Sequence, residues 1–565
     1  MTDLSLPAPP VPPAASPDST RGSAPRPSGG KLLRSTGTVG AWTLLSRVLG
    51  LVRDVVYARL FGAGLVMDAF FVAFRIPNIF RRFFAEGSFS QAFVPVFAEY
   101  DQSREHVEVQ ELVDRAAGTL GVILSGIAIV GALTAPVFIA VFAPGFAPGL
   151  DASQAGHTSA AEGAERFALA VDMLRWTFPY LLFVSLAALA GGILNTYQRF
   201  IAAAFSPVLL NVVLIIFAVW VAPLYSRPGM ALAAGVFAAG VVQLVCMLPS
   251  LARIRLLPKP KWGWQHPGVR KILKLMLPGL FGSSVAQISI LLDTLIASFL
   301  VTGSISWLYY SDRVMEFPLG VFGIALATVM LPNLSRQHAA GATGDFGRTV
   351  DWSMRLVVLI VTPATLGLML LAGPLLTTLF YGGQFTSRDV EQSSWSLIAY
   401  SAGLMGFVMV KVLAPGYFAR QDTRTPVRVG LIALGSTMLL NLVFVVPWAL
   451  AGWAAPHAGL AATTSLGSFI NSTLLYRGLR RAAVLTPGPG WGRFLVRVGV
   501  ASGVMTALLV AFAPHTSEWL AAKFWTRCLW LVAAVGGATA AYGMVLLAVG
   551  VRPADLRMQR STPTL

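Results

Sequence analysis

Seven stretches without a single Asp, Glu, Lys or Arg dominate this chain: Ala116–Leu150, Phe200–Ser226, Pro228–Ala252, Leu275–Leu292, Leu356–Ser387, Val429–Tyr476 and Cys528–Val551. Each can hold about 20 apolar residues, the length that crosses the hydrocarbon core of a bilayer as a helix. Only helices and closed barrels satisfy their backbone groups in that medium. Barrel strands are short segments of alternating polarity, so runs this long exclude a barrel. The expected fold class is an all-α polytopic membrane protein. Charged residues make up only 12% of the 565 residues, where soluble proteins carry about 25%.

The net charge is +17. In a soluble chain that excess would suggest nucleic acid as partner; in a membrane protein, Lys and Arg collect in cytoplasmic loops and explain it. No nucleic-acid partner is expected. Cys246 and Cys528 both lie in apolar runs and offer neither a disulfide framework nor a metal cluster. Residues 1–30 are rich in Pro, Ser and Ala and lack the apolar core of a signal peptide. They are expected to form a disordered tail.

About 14 spans are expected, at 38–60, 66–96, 114–142, 167–194, 201–223, 230–252, 272–300, 304–334, 353–380, 393–419, 427–449, 458–480, 493–513 and 527–550. Basic residues crowd the loop from Arg253 to Lys274, the loop from Arg420 to Arg428, and the segment from Arg477 to Arg497. The alternate loops are nearly bare of Lys and Arg. With an even number of spans, this asymmetry places both termini in the cytoplasm. One loop, "EYDQSREHVEVQELVD", is acidic yet falls on the cytoplasmic side.

The chain also repeats. "AFRIPN" (73–78) leading to "FVPVFAEY" returns as "SDRVMEFP" (311–318) leading to "MLPNLSRQ". "NTYQRFIAAAFSPV" similarly returns as "PGYFARQDTRTPV". An even number of spans per repeat makes the repeat parallel, with its axis along the membrane normal. The expected layout is a six-helix half at 31–265, a second at 266–485, and two further helices with a cytoplasmic tail at 486–565. Halves related in this way suggest a transporter with its site between them.

The charges inside the spans are then informative, since each costs about 2.5–3.5 kcal/mol at mid-bilayer on insertion scales. Arg47, Gly50 and Asp54 share one helical stripe of span one, with Arg53 beside it and Arg59 near the outer end. Span two carries Asp68, Arg75, Arg81, Arg82 and Glu86; span eight carries Asp312, Arg313 and Glu316; spans seven and ten add Asp293 and Lys411. Local reasons exist for some of them. Asp68 can cap span two, Arg59 can snorkel, and Arg53–Asp54 or Asp312–Arg313 can be structural pairs. Collectively, arginine outnumbers acid in spans one and two. Polar helices facing each other would line a water-filled cavity, and its guanidinium forks suit phosphate. The expected cargo is an amphiphile bearing phosphate or pyrophosphate. No metalloprotease, Walker or paired-aspartate motif is present, so no enzymatic activity is expected. The six histidines all fall at loop or interfacial positions.

"SRVLGLVRDVVYARLFGAG", "MDAFFVAFRIPNIFRRFFAEGSFSQAFVPVFAEY" and "SISWLYYSDRVMEFPLGVFGIALATVMLPNLSR" resemble the MurJ (MviN) family of lipid II flippases, within the multidrug/oligosaccharidyl-lipid/polysaccharide exporter superfamily. The likeness runs from about Thr38 to Arg560. It implies transport of the undecaprenyl-pyrophosphate-linked peptidoglycan precursor from the cytoplasmic to the periplasmic leaflet by alternating access. It implies membrane lipids and the peptidoglycan synthesis machinery as further partners. The family's cavity arginines fall on Arg47, Arg53, Arg81 and Arg313, its acid between spans one and two on Asp68, and lesser cavity positions on Ser306 and Glu316. Asp54, Arg75, Arg82 and Asp312 are additional cavity candidates. Helical spacing favours Arg82 over Arg81, whereas the resemblance favours Arg81. A groove for the prenyl tail falls on the last two spans. Some relatives hold sodium, and Asp293 with Thr437, Asn441 and Thr463 or Thr464 is the matching oxygen set; an interhelical hydrogen bond is the competing reading. No other cofactor is expected. A flippase for another prenyl-pyrophosphate-linked oligosaccharide and a non-transporting cell-wall scaffold are the alternative functions.

Overall fold

The computed structural model describes residues 29–82, 88–147, 160–282, 284–512 and 514–551. The expected N-terminal tail, apart from Gly29 and Gly30, lies outside the described residues, as do Glu86 and the residues after Val551. Among the described residues the ordered elements are helical, save one isolated bridge between Gly382 and Phe385. The chain is a multi-pass membrane protein.

The first half comprises α1 (Gly29–Phe61), α2 (Leu65–Arg81), α3 (Ser88–Ser103), α4 (His106–Leu133), α5 (Ala135–Phe142), α6 (Ala160–Thr177), α7 (Tyr180–Thr196), α8 (Phe200–Ile216) and α9 (Gly229–Arg253). The second comprises α10 (Pro267–Gly282), α11 (Ser284–Ser298), α12 (Ser304–Pro318), α13 (Ile324–Ala339), α14 (Thr343–Leu370), α15 (Ala372–Leu379), α16 (Ser387–Ala402), α17 (Leu404–Phe418), α18 (Arg424–Leu440), α19 (Val446–Leu450) and α20 (Pro456–Arg481). α21 (Trp491–Phe512), α22 (Thr516–Ala521) and α23 (Phe524–Ala548) follow.

The internal repeat extends to the irregularities. A 28-residue helix broken before an 8-residue one recurs as α4–α5 and as α14–α15. A 17-residue helix running into a 5-residue π-helical stretch recurs as α8 with Phe217–Val221 and α18 with Asn441–Val445. Prolines sit inside α3 and α13 at equivalent places, Pro95 and Pro332. Such breaks leave backbone groups unpaired in lipid unless neighbours satisfy them, so their recurrence marks two copies of one packed unit.

The described parts of the expected spans fall on helix, several of them on two consecutive helices. Nine of the described helical stretches are long and apolar enough by themselves to cross a membrane. The other five expected spans are α1, α2–α3, α10–α11, α12–α13 and α20. These carry most of the charge within the expected spans, so the helices that hydropathy favours least are those that face polar neighbours.

α21 and α23 pack on each other and on α14 through their own apolar cluster, which includes Leu359, Val498, Met505 and Tyr542. Tyr542 donates to the carbonyl of Leu359 at 2.6 Å, and Trp491 Nε1 to Asp351 at 2.7 Å. The acidic α3–α4 junction packs against the basic segment joining α9 to α10. Lys261 Nζ lies 3.5 Å from Asp114, and Lys271 pairs with Glu99. The acidic residues that ran against the loop-charge pattern thus neutralise the basic linker from across a tertiary contact. This side of the molecule is called the basic face below.

Candidate functional site

The face of α1 that carries Arg47 and Asp54 passes from exposed to buried, while Val52 and Leu60 elsewhere on the helix are exposed. Leu44, Arg47 and Val48 are open, whereas Asp54, Tyr57 and Ala58 are buried. α12 shows the same gradient in reverse chain order: Ser304 and Ser306 are buried, and Glu316 and Phe317 are exposed. The two helices face each other and form a chamber that closes away from the basic face and opens toward it.

Asp54 sits at the closed end of this chamber with 0% exposure. Arg53, its neighbour, donates to Oδ1 from Nε at 2.9 Å and from Nη2 at 2.6 Å. Arg313 of α12 donates from Nε to Oδ2 at 2.7 Å. Tyr309 donates its hydroxyl to Oδ1 at 3.2 Å and accepts from Arg53 Nη2 at 3.0 Å. Arg53 also donates to Asn211 of α8 at 3.1 Å, and Asn211 in turn donates to the carbonyl of Ser46 at 3.0 Å. One carboxylate therefore joins guanidinium groups from both halves, leaving a net positive charge.

The two arginines are not equivalent. Arg53 is 7% exposed and its nitrogens are engaged. The Arg313 side chain is 32% exposed, with one nitrogen 3.3 Å from Glu316 and another lying over Gly50. A β-carbon at position 50 would stand only 2.7 Å from that nitrogen; the glycine on the Arg47–Asp54 stripe makes room for an arginine from the opposite half. Arg47 is exposed and lies over Gly320 in the π-helical stretch after α12.

Deeper along α2, Arg75 bonds Thr294 of α11 and lies within electrostatic reach of Asp312, Asp293 and Tyr400. Arg82 donates to Gln287 of α11 at 3.3 Å, whereas Arg81 donates to Asn78 of its own helix at 2.8 Å. Asp312 and Arg313 do not form the anticipated local pair, because Arg313 turns to Asp54 instead.

The closed end is a polar seam. Asp68 does not cap α2. It accepts from Gly303 N at 2.7 Å and from both the backbone and the hydroxyl of Ser306, at 2.9 and 2.6 Å. It therefore caps α12 from the opposite half. The resemblance places Asp68 and Ser306 among the substrate-contacting groups; here both are buried and bonded to each other. Arg166 lies 3.6 Å from Asp68, with its guanidinium 4.3 Å above the ring of Phe146. It also donates to Thr302, whose hydroxyl donates to Glu162 at 2.7 Å. Arg166 lies before the expected fourth span, yet α6 begins at Ala160 and buries Arg166 to 1% exposure. Gln384 N donates to the carbonyl of Arg59 at 2.9 Å, from a hairpin with positive φ at Gly382 and Gly383. A β-carbon on Gly383 would collide with that carbonyl oxygen. His457, expected at an interface, is fully buried against Trp307 and bonded to the carbonyl of Gln392.

The candidate sodium ligands lie at the start of the Asn441–Val445 π-helical stretch. Asp293 faces Asn441, and Thr463 donates to Asn441 Oδ1. Asp293 Oδ1 and Thr464 Oγ1 are buried with no hydrogen-bond partner. Thr437 is buried, but its hydroxyl bonds the carbonyl of Ala433 in its own helix.

Two repeated helical units around a charged chamber have the fold of the multidrug/oligosaccharidyl-lipid/polysaccharide transporters. A multidrug transporter of the MATE family in its inward-facing conformation aligns over 78% of this chain and 95% of its own, with TM-score 0.61 and 12% identity. A structure described as lipid II flippase MurJ, inward closed conformation, aligns over 90% of this chain and 99% of its own, with TM-score 0.71 and 24% identity. Both likenesses concern the fold. In sequence, the family described as lipid II flippase MurJ matches residues 57–529. A probable lipid II flippase MurJ from Vibrio cholerae is 49% identical over 529 residues, covering 93% of this chain and 98% of the relative. The chain belongs to the MurJ family.

Proposed function

We propose that this protein flips lipid II from the cytoplasmic to the periplasmic leaflet of the inner membrane by alternating access. The observation that carries the reading is the Asp54 junction, where Arg53 and Arg313 from opposite halves meet in a chamber sealed at one end. In this reading the basic face is the cytoplasmic one and both termini lie in the cytoplasm, as the excess of Lys and Arg in that face's loops supports. The chamber then opens inward in this conformation. Arg47 and Arg313, with free N–H directions, bind the pyrophosphate first. A pyrophosphate competes with Asp54 for Arg313, and that competition loosens the tie between the halves. Residues 31–265 and 266–485 rock as two lobes about this point, the Asp68–Ser306 seam opens, and the head group leaves outward. The prenyl tail stays in lipid beside α21 and α23. Enzymes that polymerise the precursor on the outer leaflet are the protein partners implied.

Asp293, Asn441 and Thr463, with Thr437 after rotation of its hydroxyl, form a hard-oxygen set suited to sodium, and the unpartnered buried Asp293 Oδ1 supports that fit. A bound sodium ion would supply positive charge to Asp293 and couple transport to the ion gradient. Translocation of labelled lipid II in proteoliposomes tests the central reading. The intact protein should move it and Arg313→Ala should not; equal rates would overturn the reading and favour a scaffold.

A further inference from the structure

An apolar groove of about 610 Å³ runs between α4, α7 and α9, on the outside of the first half and away from the charged chamber. Ala117 and Ile129 mark its extent along α4, and Leu189, Leu248 and Trp262 form parts of its wall and rim. The twelve helical steps from Ala117 to Ile129 span about 18 Å. A hydrocarbon core is about 30 Å thick, so the groove is roughly as deep as one leaflet. Gly121 and Gly126 line it with open space where their side chains would be. Ser125 is the one hydroxyl-bearing residue in its lining.

The rim at the basic end is the linker Pro258-Lys259-Pro260-Lys261-Trp262. Pro258, Pro260 and Trp262 face the groove, and the intervening lysines are exposed at its mouth. Gly118 holds the linker in place, since a β-carbon there would strike the backbone of Lys261. Trp262 stacks on Trp264 at 6.2 Å, both more than 45% exposed, as in an aromatic belt at the headgroup level. Arg253 and Arg255 are exposed nearby. Asp114 offsets part of this charge through Lys261, and Glu111 pairs with Arg115. The mouth remains basic.

We propose that this groove binds one acyl chain of an anionic phospholipid of the cytoplasmic leaflet, its phosphate at Lys259 and Lys261. The depth sets the occupant's length, the lining requires an unbranched apolar chain, and the rim selects a negative head group. The placement in the leaflet rests on the orientation proposed above; the groove and its charge do not. Because the rim is the segment joining α9 to α10, the lipid also holds the connection between the two halves against the first.

The test uses full-length protein in nanodiscs containing a trace of phosphatidylglycerol or phosphatidylcholine with a photoreactive palmitoyl chain. Crosslinked residues are located by peptide mass spectrometry. Phosphatidylglycerol should label the 117–129, 186–193 or 244–251 segments, with a preference over phosphatidylcholine of about fivefold or more. Lys259→Gln with Lys261→Gln, both on exposed side chains, should remove the preference but keep the labelling. Gly121→Leu with Gly126→Leu should remove labelling by either lipid. Absence of labelling in the groove, or equal labelling by both lipids, would overturn the proposal. Displacement of the probe by undecaprenyl phosphate at equal concentration would overturn it too, by showing a prenyl site. Lipid II translocation by the Lys259/Lys261 variant is measured in parallel. Loss of head-group preference with transport retained separates this site from the flipping chamber.

Discussion

Asp54 of α1 receives Arg53 from its own helix at 2.6 Å and Arg313 from α12 at 2.7 Å, and is itself fully buried. A carboxylate without solvent between two guanidinium groups is a junction whose parts depend on each other. Removing one member of a buried pair strands the rest and costs roughly 3–5 kcal/mol.

Arg53 and Arg47 should therefore fail for different reasons. Arg53→Ala should lower thermal stability in detergent and abolish transport, because Asp54, Asn211 and Tyr309 lose their shared partner. Arg47→Ala should abolish growth rescue of a flippase-depleted cell while leaving thermal stability unchanged, since Arg47 is exposed. Arg313→Ala should act as Arg47→Ala does on growth, with a smaller stability loss than Arg53→Ala. Arg→Lys at 47 and 313 should restore growth only in part, because lysine lacks the planar fork. Thermal midpoints and complementation of matched protein levels check all four.

Arg82 bonds Gln287 of the other half, and Arg81 bonds its own helix. If Arg82 ties the halves together at the open end of the chamber, Arg82→Ala should favour the inward-open state and lower periplasmic accessibility of the seam. Arg81→Ala should instead lower binding of a pyrophosphate-bearing lipid without that shift. Thiol labelling and binding titration distinguish the two; an identical pattern for both variants would show that neither role is separate.

Much of this was legible in the chain. The repeat was readable because each half keeps its prolines and helix breaks. The Arg47–Gly50–Asp54 stripe was readable because three residues on one helix need only the helical period. Arg166 was not. It lies just before the expected span 167–194, beside Glu162 and Glu165, a composition that reads as a solvated segment. Its burial comes from Asp68, Phe146 and Thr302, each on a different segment. The Gly383–Arg59 contact joins residues far apart in the sequence and leaves no periodic trace. Asp68 was identifiable as significant, but its acceptance of α12 backbone groups required the packed halves.

Asp293 should govern sodium. Its Oδ1 is buried and unpartnered, and it faces Asn441, whose Oδ1 accepts from Thr463. Asp293→Asn should abolish sodium-dependent thermal stabilisation in potassium-balanced buffer, and with it any dependence of translocation on a sodium gradient. A sodium-induced stabilisation that survives Asp293→Asn would place the ion elsewhere or remove it from the mechanism.

The final prediction concerns the seam. Ala58 and Ser306 are both fully buried here, and Asp68, Gln384 and Gly383 hold their surroundings together. With Cys246 and Cys528 replaced by Ala, single cysteines at position 58 or 306 should be shielded from a bulky periplasmic thiol reagent in this conformation. They should become reactive when the halves rock outward. Gly383→Ala should favour that state, because its β-carbon meets the Arg59 carbonyl and its φ of +60° already disfavours a side chain. Asp68→Asn should act in the same direction by weakening the charge-assisted cap on α12 and the pairing with Arg166. The Ala58→Cys probe reads both variants without altering Asp68 itself. Labelling should rise in each variant, and modification should stop lipid II translocation. A scaffold without alternating access would label at one constant level in all backgrounds, indifferent to substrate and to collapse of the membrane potential. That constant level would reject the rocking of the two halves even if lipid II were still found bound.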